Sequence, residues 1–205
     1  MQDGAEVNET TTAEGEDLGD MACSRLHMGI AERGKSHAVE GNHTKALQYY
    51  RVAMRIAVAA KEPEIFFRHY LECVMESLEL MGAYDEVLAY CDKAIALYTE
   101  TPPPNVMATM DLASIHLRRG AILLKQNERE EAKSSLQAAR EIARSIGGTV
   151  ALAGVPLRWA QVGYAIEPAR VLAEQKRSGY FLIRKDMIDA SRAIELSDAD
   201  LGQAF

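Results

Sequence analysis

The chain has 205 residues, a formal net charge of −7 and a hydrophobic content of 48%, which is enough apolar material for a core. No apolar run approaches the roughly 20 residues that a membrane span needs. The first residues also lack the basic start and the apolar core of a secretory signal. We therefore predict a cytoplasmic protein with no membrane span.

Residues 1–20 form an acidic tail. They carry seven acidic residues and no lysine or arginine, so residues 21–205 sum to a net charge of zero. A segment with so much charge and so little apolar surface is predicted to be disordered. It is either a solubilising leader or a segment that docks on a basic surface. The neutral body has no basic stripe with interleaved aromatic residues, so nucleic acid is not a predicted partner.

Apolar residues at helical spacing, together with an aromatic content of only 6%, predict an all-α fold. The predicted helices, in chain order, span about 20–40, 42–61, 63–80, 83–98, 105–125 and 128–147. Pro63 suits a first helical turn, the prolines at 102–104 form a rigid linker, and Asn105 caps the helix that follows. The glycine pair at 147–148 ends the sixth helix.

One faint pattern recurs along these helices at spacings of 41, 45 and 43 residues. In the second helix of each pair, a small residue or valine is followed four residues later by a larger residue and seven residues later by alanine. The three triplets are Ala46, Tyr50 and Ala53; Val87, Cys91 and Ala94; and Ala132, Leu136 and Ala139. Offsets of four and seven lie on one stripe of a helix, where small residues let a partner helix approach closely. A period of this length is typical of helical repeat arrays.

Two segments resemble the tetratricopeptide repeat. Trp159, Val162, Gly163 and Ile166 resemble the first half of that family's pattern, and the triplet that begins at Ala46 resembles the second half. The resemblance covers residues 27–146 well and residues 155–196 poorly. It implies an all-α, right-handed, antiparallel helix-pair solenoid of three to four repeats with a C-terminal capping helix. The repeats lie near 27–61, 63–101, 105–147 and 155–196, within a repeat domain that spans 21–205.

The chain departs from the family in two ways. Its period is longer than the family's usual length of about 34 residues. The second helix of the fourth repeat is interrupted by Pro168 and by residues 177–179, so residues 191–196 are either its displaced end or the capping helix. An unrelated antiparallel helical bundle with small residues at its seams is the alternative fold.

The first helix of each tetratricopeptide repeat lines a concave groove, and the resemblance therefore identifies candidate groove residues. They are Lys35, His69, Glu72, Glu76, Glu79, Arg118 and Tyr164. The three glutamates lie at offsets of four and seven, which predicts an acidic stripe that attracts a basic or amphipathic segment of a partner. A solvated helix face is the alternative interpretation of the stripe.

A binding role follows from this architecture. We predict a non-catalytic adaptor or scaffold that binds a peptide or helix of a protein partner in the concave groove. The alternative is a dedicated chaperone or assembly subunit, which would form a homo-oligomer or join a complex through the apolar residues 150–166. An enzyme or a metal protein is least favoured, because no catalytic motif is present and the three cysteines lack metal-site spacing. No cofactor and no metal is predicted.

Overall fold

The computed structural model describes residues 13–162 and 165–202, with side chains from Leu26 onward except at Ala151. Every regular element of these residues is helical, which confirms the all-α prediction. The α-helices are α1 (Ala13–Val39), α2 (His43–Ala59), α3 (Glu64–Met81), α4 (Tyr84–Glu100), α5 (Val106–Lys125), α6 (Arg129–Ser145), α7 (Gly154–Val162), α8 (Pro168–Arg177) and α9 (Asp198–Gly202). Short 3₁₀ turns cover Ala151–Ala153, Lys185–Met187 and Ala190–Arg192. Across this part of the chain, no helix combines the length and the apolar character needed to cross a bilayer.

Helix α1 begins within the predicted acidic tail, at Ala13. Residues 1–12 lie outside the described residues, so the predicted disorder of the tail stays a prediction. The predicted helix cap at Asn105 is confirmed, because its side chain accepts a hydrogen bond from the N–H of Ala108 at 2.9 Å. Asn42 caps α2 in the same way through the N–H of Lys45.

The first helices of the three predicted pairs end alike. Gly41 after α1 and Gly82 after α3 have positive φ angles of 82° and 80°, which glycine adopts without a steric penalty. Asn127 after α5 has the same conformation, with a φ of 66°. The residue that follows each of these three donates its N–H to the carbonyl five positions earlier, at 2.8–2.9 Å. This left-handed cap closes the helix and turns the chain toward the next one.

The described residues divide into two compact units. Unit 1 contains residues 13–77 and 183–202, and unit 2 contains Leu78–Leu182. In unit 1, α1 packs along α2, and the aromatic ring of Tyr70 joins the core that they share with Leu201. Gly34 of α1 lies so close to Tyr50 of α2 that a Cβ atom there would stand 2.7 Å from the ring. The α1–α2 seam therefore depends on the missing side chain of Gly34.

Unit 2 repeats this seam with other residues. Helices α4, α5, α6 and α7 pack in succession, and a Cβ atom on Gly120 of α5 would stand 2.6 Å from Leu136 of α6. Gly34 and Gly120 hold equivalent places in the sequence pattern, as do Tyr50 and Leu136. Equivalent positions therefore make equivalent contacts in the two helix pairs.

The apolar run near residue 150 contributes to the core of unit 2. Leu152, Ala153, Leu157 and Ala160 are all buried, and they pack with Leu124 and Leu136 among others. Val162 is the exposed large hydrophobic residue of this stretch. The apolar residues at these four positions therefore belong to the core of unit 2, and they give no specific support to the assembly-subunit alternative.

The C-terminal end of the predicted fourth repeat needs correction. Pro168 begins α8 rather than interrupting a helix, because its fixed φ and missing N–H suit the first helical position. Residues 191–196 form neither a displaced helix end nor a capping helix. The 3₁₀ turn ends at Arg192, and the chain then continues in an extended conformation, with Ala193 at φ −63° and ψ 129°. The N–H groups that a helix would use internally are donated to unit 1 instead, such as that of Ile194 to the carbonyl of Gly29.

Candidate binding pocket

A cavity of about 360 Å³ opens between α1 and α3 within unit 1, and we call it the α1–α3 pocket. It is lined by Met28, Ala31, Glu32 and Lys35 of α1, by Ile65, Phe66, His69 and Tyr70 of α3, and by Arg192. Its volume lies within the range of roughly 300–1,000 Å³ that is typical of binding pockets. The mixture of aliphatic, aromatic and charged side chains suits an amphipathic ligand.

The rim of the pocket carries an excess of positive charge. Lys35 Nζ donates a hydrogen bond to Glu32 Oε2 at 3.1 Å, so these two charges neutralise each other. The other oxygen of Glu32 accepts a hydrogen bond from the N–H of Asp189 at 2.6 Å. The guanidinium group of the exposed Arg192 contacts the sulfur of Met28 at 3.8 Å. Among the described residues, no carboxylate lies within ion-pair distance of that guanidinium group.

The inner wall of the pocket is held by a buried polar chain. Tyr70 Oη lies 2.6 Å from Nδ1 of the fully buried His27, and Nε2 of His27 lies 3.5 Å from Glu62 Oε1. Burial, followed by the nearby Cys73 thiol, raises the pKa of Tyr70 well above its ordinary value. The phenol therefore stays protonated and is available as a hydrogen-bond donor. These contacts fix the Tyr70 ring as a rigid part of the pocket.

His69 and Cys73 lie one helical turn apart on α3, with His69 Nε2 and Cys73 Sγ separated by 4.0 Å. Burial lowers the pKa of His69, and the nearby Lys35 charge lowers it further. Burial also raises the pKa of Cys73 to about 12, so the thiol is protonated at neutral pH. A protonated and buried thiol is neither a good nucleophile nor a good metal ligand.

The pocket contains two of the predicted groove residues, Lys35 and His69. Glu72 is half-buried on the same helix. Glu76 and Glu79 do not form an exposed stripe with it, because each is only 1% exposed. In unit 1, Glu76 Oε2 accepts the N–H of Ile183 at 3.0 Å, so this carboxylate is part of an internal contact. The predicted groove residue Tyr164 lies outside the described residues.

Glu79 and the predicted groove residue Arg118 meet inside unit 2. Glu79 Oε2 lies 2.9 Å from Arg118 Nη1 and 2.9 Å from the hydroxyl of Tyr180. Its other oxygen accepts hydrogen bonds from Lys125 at 2.7 Å and from Gln175 at 2.5 Å. We call these five side chains the Glu79 cluster. They form a buried polar core and leave neither Glu79 nor Arg118 exposed in a groove.

Sequence reasoning missed the polar pocket residues Glu32, Tyr70 and Arg192, as well as the apolar residues Met28, Ile65 and Phe66. Tyr70 sits next to the predicted groove residue His69, and Glu32 lies one turn before Lys35, so helical spacing from those two residues would have found them. Arg192 carries no such signal, because it reaches the pocket from a non-helical segment that is distant in sequence.

Comparisons of the chain with protein-family models, with curated proteins and with solved structures found no match. Within the described part of the chain, no group of three or more His, Cys, Asp or Glu side chains is arranged to hold a metal ion.

Four histidines are expected to make the protein less stable as the pH falls. Burial is the first cause that lowers the pKa of His37, His43, His69 and His116 below the ordinary value of 6.5. A depressed pKa means that the unfolded chain binds protons more readily than the folded chain. The folded state therefore keeps its full stability above pH 6.5 and loses stability as the pH falls below 6.5. Urea unfolding at pH 7, 6 and 5 should show a falling free energy of unfolding. An NMR titration that places the pKa of His69 above 6.5 would contradict this.

Proposed function

We propose that the chain is a non-catalytic, tetratricopeptide-like adaptor that holds a segment of a partner protein in the α1–α3 pocket. The observation that carries this proposal is the construction of the pocket, which is lined by the first helices of two successive predicted repeats. Those are the helices from which the resemblance derives a concave binding face. Lys35 and His69, which come from separate repeats, line the same cavity.

The repeated seam supports the same proposal. Gly34 faces Tyr50 in one helix pair and Gly120 faces Leu136 in another, as expected for stacked copies of one helix-pair motif. A right-handed solenoid of such pairs is the proposed arrangement. Cys73 is a free and buried thiol, which is consistent with the reducing cytoplasm that we propose as the location of the protein.

The chemistry of the pocket defines the kind of partner. Ile65 and Phe66 offer an apolar wall, and the exposed guanidinium group of Arg192 favours an acidic rather than a basic group. Glu76 and Glu79 are buried, so they do not support a basic partner. A short partner segment with both apolar and acidic side chains fits these features best.

Selection of peptides from a random display library on the full-length chain tests the adaptor role. Peptides that bind should lose affinity by about tenfold or more when Ile65, which is 56% exposed at the pocket, is replaced by aspartate. The matched control is Leu97→Asp on α4, a residue that is 60% exposed and belongs to unit 2. Fluorescence anisotropy with labelled peptides measures each affinity, and circular dichroism checks that both variants are folded.

Two outcomes would contradict the proposal. The library could yield no enriched peptide, or the enriched peptides could bind Ile65→Asp as tightly as they bind the wild type. An equal loss of affinity in Leu97→Asp would also contradict it, because the effect of Ile65→Asp would then not be specific to the α1–α3 pocket.

A further inference from the structure

Residues 183–202, which we call the C-terminal segment, pack on helices α1, α2 and α3 of unit 1 in the manner of a peptide ligand. Residues 183–184, 188–189 and 193–197 of the segment have no regular structure, and the rest form two 3₁₀ turns and α9. Several backbone N–H groups of the segment are donated to acceptors on helices α1, α2 and α3. The donors and acceptors are Ile183 to Glu76 Oε2 at 3.0 Å, Asp189 to Glu32 Oε1 at 2.6 Å, Ile194 to the Gly29 carbonyl at 2.9 Å, and Leu196 to the Tyr49 hydroxyl at 3.2 Å. A helix-lined surface that accepts the backbone of an extended segment is already adapted to peptide binding.

The centre of this interaction is the triplet Ile194, Glu195 and Leu196. The Glu195 carboxylate forms an ion pair with Arg33 and accepts a hydrogen bond from the Tyr49 hydroxyl at 2.7 Å. Ile194 and Leu196, which flank Glu195 in the sequence, both pack against the core of unit 1. The helices of unit 1 therefore bind three consecutive residues, which are aliphatic, acidic and aliphatic.

Gly29 makes room for the triplet on α1. A Cβ atom on Gly29 would stand 2.5 Å from Ile194 Cδ1 and 2.7 Å from the carbonyl oxygen of Arg192. That oxygen belongs to backbone and cannot rotate away as a flexible side chain does. Alanine at position 29 would favour the helix itself and block the segment, so the two effects can be separated.

The C-terminal segment is placed to detach without unfolding the helices. Residues 184–187 and 189–192 of the segment are exposed. Leu201 is the fully buried residue of the segment. Segments with few buried side chains open at a small fraction of the global unfolding free energy.

We infer that the C-terminal segment is an intramolecular occupant of a second partner-binding surface, formed by Gly29, Arg33 and Tyr49 beside the α1–α3 pocket, and that the partner displaces it with an extended segment that carries the same aliphatic–acidic–aliphatic triplet. This inference rests on the proposed adaptor function and adds the partner's chemistry and a means of regulation. A tethered segment competes at an effective concentration on the order of millimolar, which restricts binding to partners that match the triplet well.

A labelled peptide with the sequence of residues 187–197 tests the inference on the full-length chain. Ile194→Asp removes the competing segment and keeps the surface, so the peptide should bind this variant about tenfold more tightly than the wild type. Gly29→Ala blocks the surface and should abolish binding. Gly154→Ala is the matched control, because a Cβ atom there meets nothing within 4 Å, and it should behave like the wild type. A peptide with aspartate in place of the isoleucine of the triplet should bind none of them.

Trypsin provides a second measurement that does not depend on the peptide. Gly29→Ala should expose the bond after Arg192 to cleavage about tenfold faster than Gly154→Ala, while the helix content stays the same. Equal cleavage rates, or equal peptide affinity in Ile194→Asp and the wild type, would overturn the inference. If library peptides still bind the α1–α3 pocket in that case, the adaptor proposal stands. If no library peptide binds either, the adaptor proposal fails as well.

Discussion

Replacement of Glu79 by alanine is expected to lower the free energy of unfolding by about 3–5 kcal/mol at pH 7. The carboxylate is buried and lies within 2.9 Å of donor atoms on Arg118 and Lys125. Its removal leaves the Lys125 ammonium group, also buried, without this carboxylate. Gln175 and Tyr180 would lose a hydrogen-bond acceptor in the same change. The effect is large because the desolvated charge remains after its counter-charge is gone.

The pH dependence of the stability of Glu79→Ala tests whether the lost carboxylate charge causes the destabilisation. Burial alone would raise the pKa of Glu79, but the Arg118 and Lys125 charges and the hydrogen bonds of Lys125 and Gln175 outweigh it, and the pKa falls below its ordinary value of 4.5. The carboxylate therefore stabilises the folded state above about pH 4.5 and loses that contribution as the pH falls through the folded pKa. The stability difference between wild type and Glu79→Ala should narrow as the pH decreases from 4.5.

Urea unfolding of matched variants measures the effect. Glu141→Ala on α6 is the control, because Glu141 is exposed and its removal should change the free energy of unfolding by no more than about 0.5 kcal/mol. Glu79→Gln keeps the shape of the side chain and removes the charge, so it should fall between the wild type and Glu79→Ala. Similar stability of Glu79→Ala and Glu141→Ala would show that the cluster contributes little.

Replacement of a seam alanine by a larger residue is the second change that we expect to lower the free energy of unfolding strongly. Ala139 of α6 is fully buried within the core of unit 2, on the stripe that it shares with Ala132 and Leu136. Tryptophan at this position must displace neighbouring side chains and backbone, and overpacking is expected to lower the free energy of unfolding by about 1–3 kcal/mol or more. Ala53→Trp, at the equivalent place on α2, should have the same effect in unit 1.

Thermal unfolding followed by circular dichroism measures these variants. Ala96→Trp on α4 is the matched control, because Ala96 is exposed and the added ring can extend into solvent. Its melting temperature should stay close to that of the wild type. A melting temperature of Ala139→Trp that equals that of Ala96→Trp would mean that the repeated stripe is not a helix seam.

The seams could be predicted from the sequence because they depend on local spacing. Residues at offsets of four and seven face the same side of any helix, so Ala46, Tyr50 and Ala53 had to share one face wherever the helix packed. The end of the sixth helix followed for a similar reason, since Gly147 supplies the backbone conformation that ends a helix. Both predictions required no knowledge of what lies opposite.

The candidate pocket could be predicted only in part. Lys35 and His69 were found from the register of the repeats, since first helices of neighbouring repeats present equivalent positions to one side. Glu76 and Glu79 followed the same register but point inward, because their carboxylates meet donors that come from residues far along the chain, such as Ile183 and Lys125. Helical spacing shows which residues share a face but not whether that face is exposed.

The sequence by itself determined the helical class, the helix ends and the small-residue seams, because each depends on interactions within one or two helical turns. The tertiary structure alone decided the burial of the Glu79 cluster and the docking of the C-terminal segment. Gln175 reaches Glu79 across 96 positions, and Glu195 reaches Tyr49 across 146. Contacts at such separations depend on where the chain returns, and no local periodicity encodes that return.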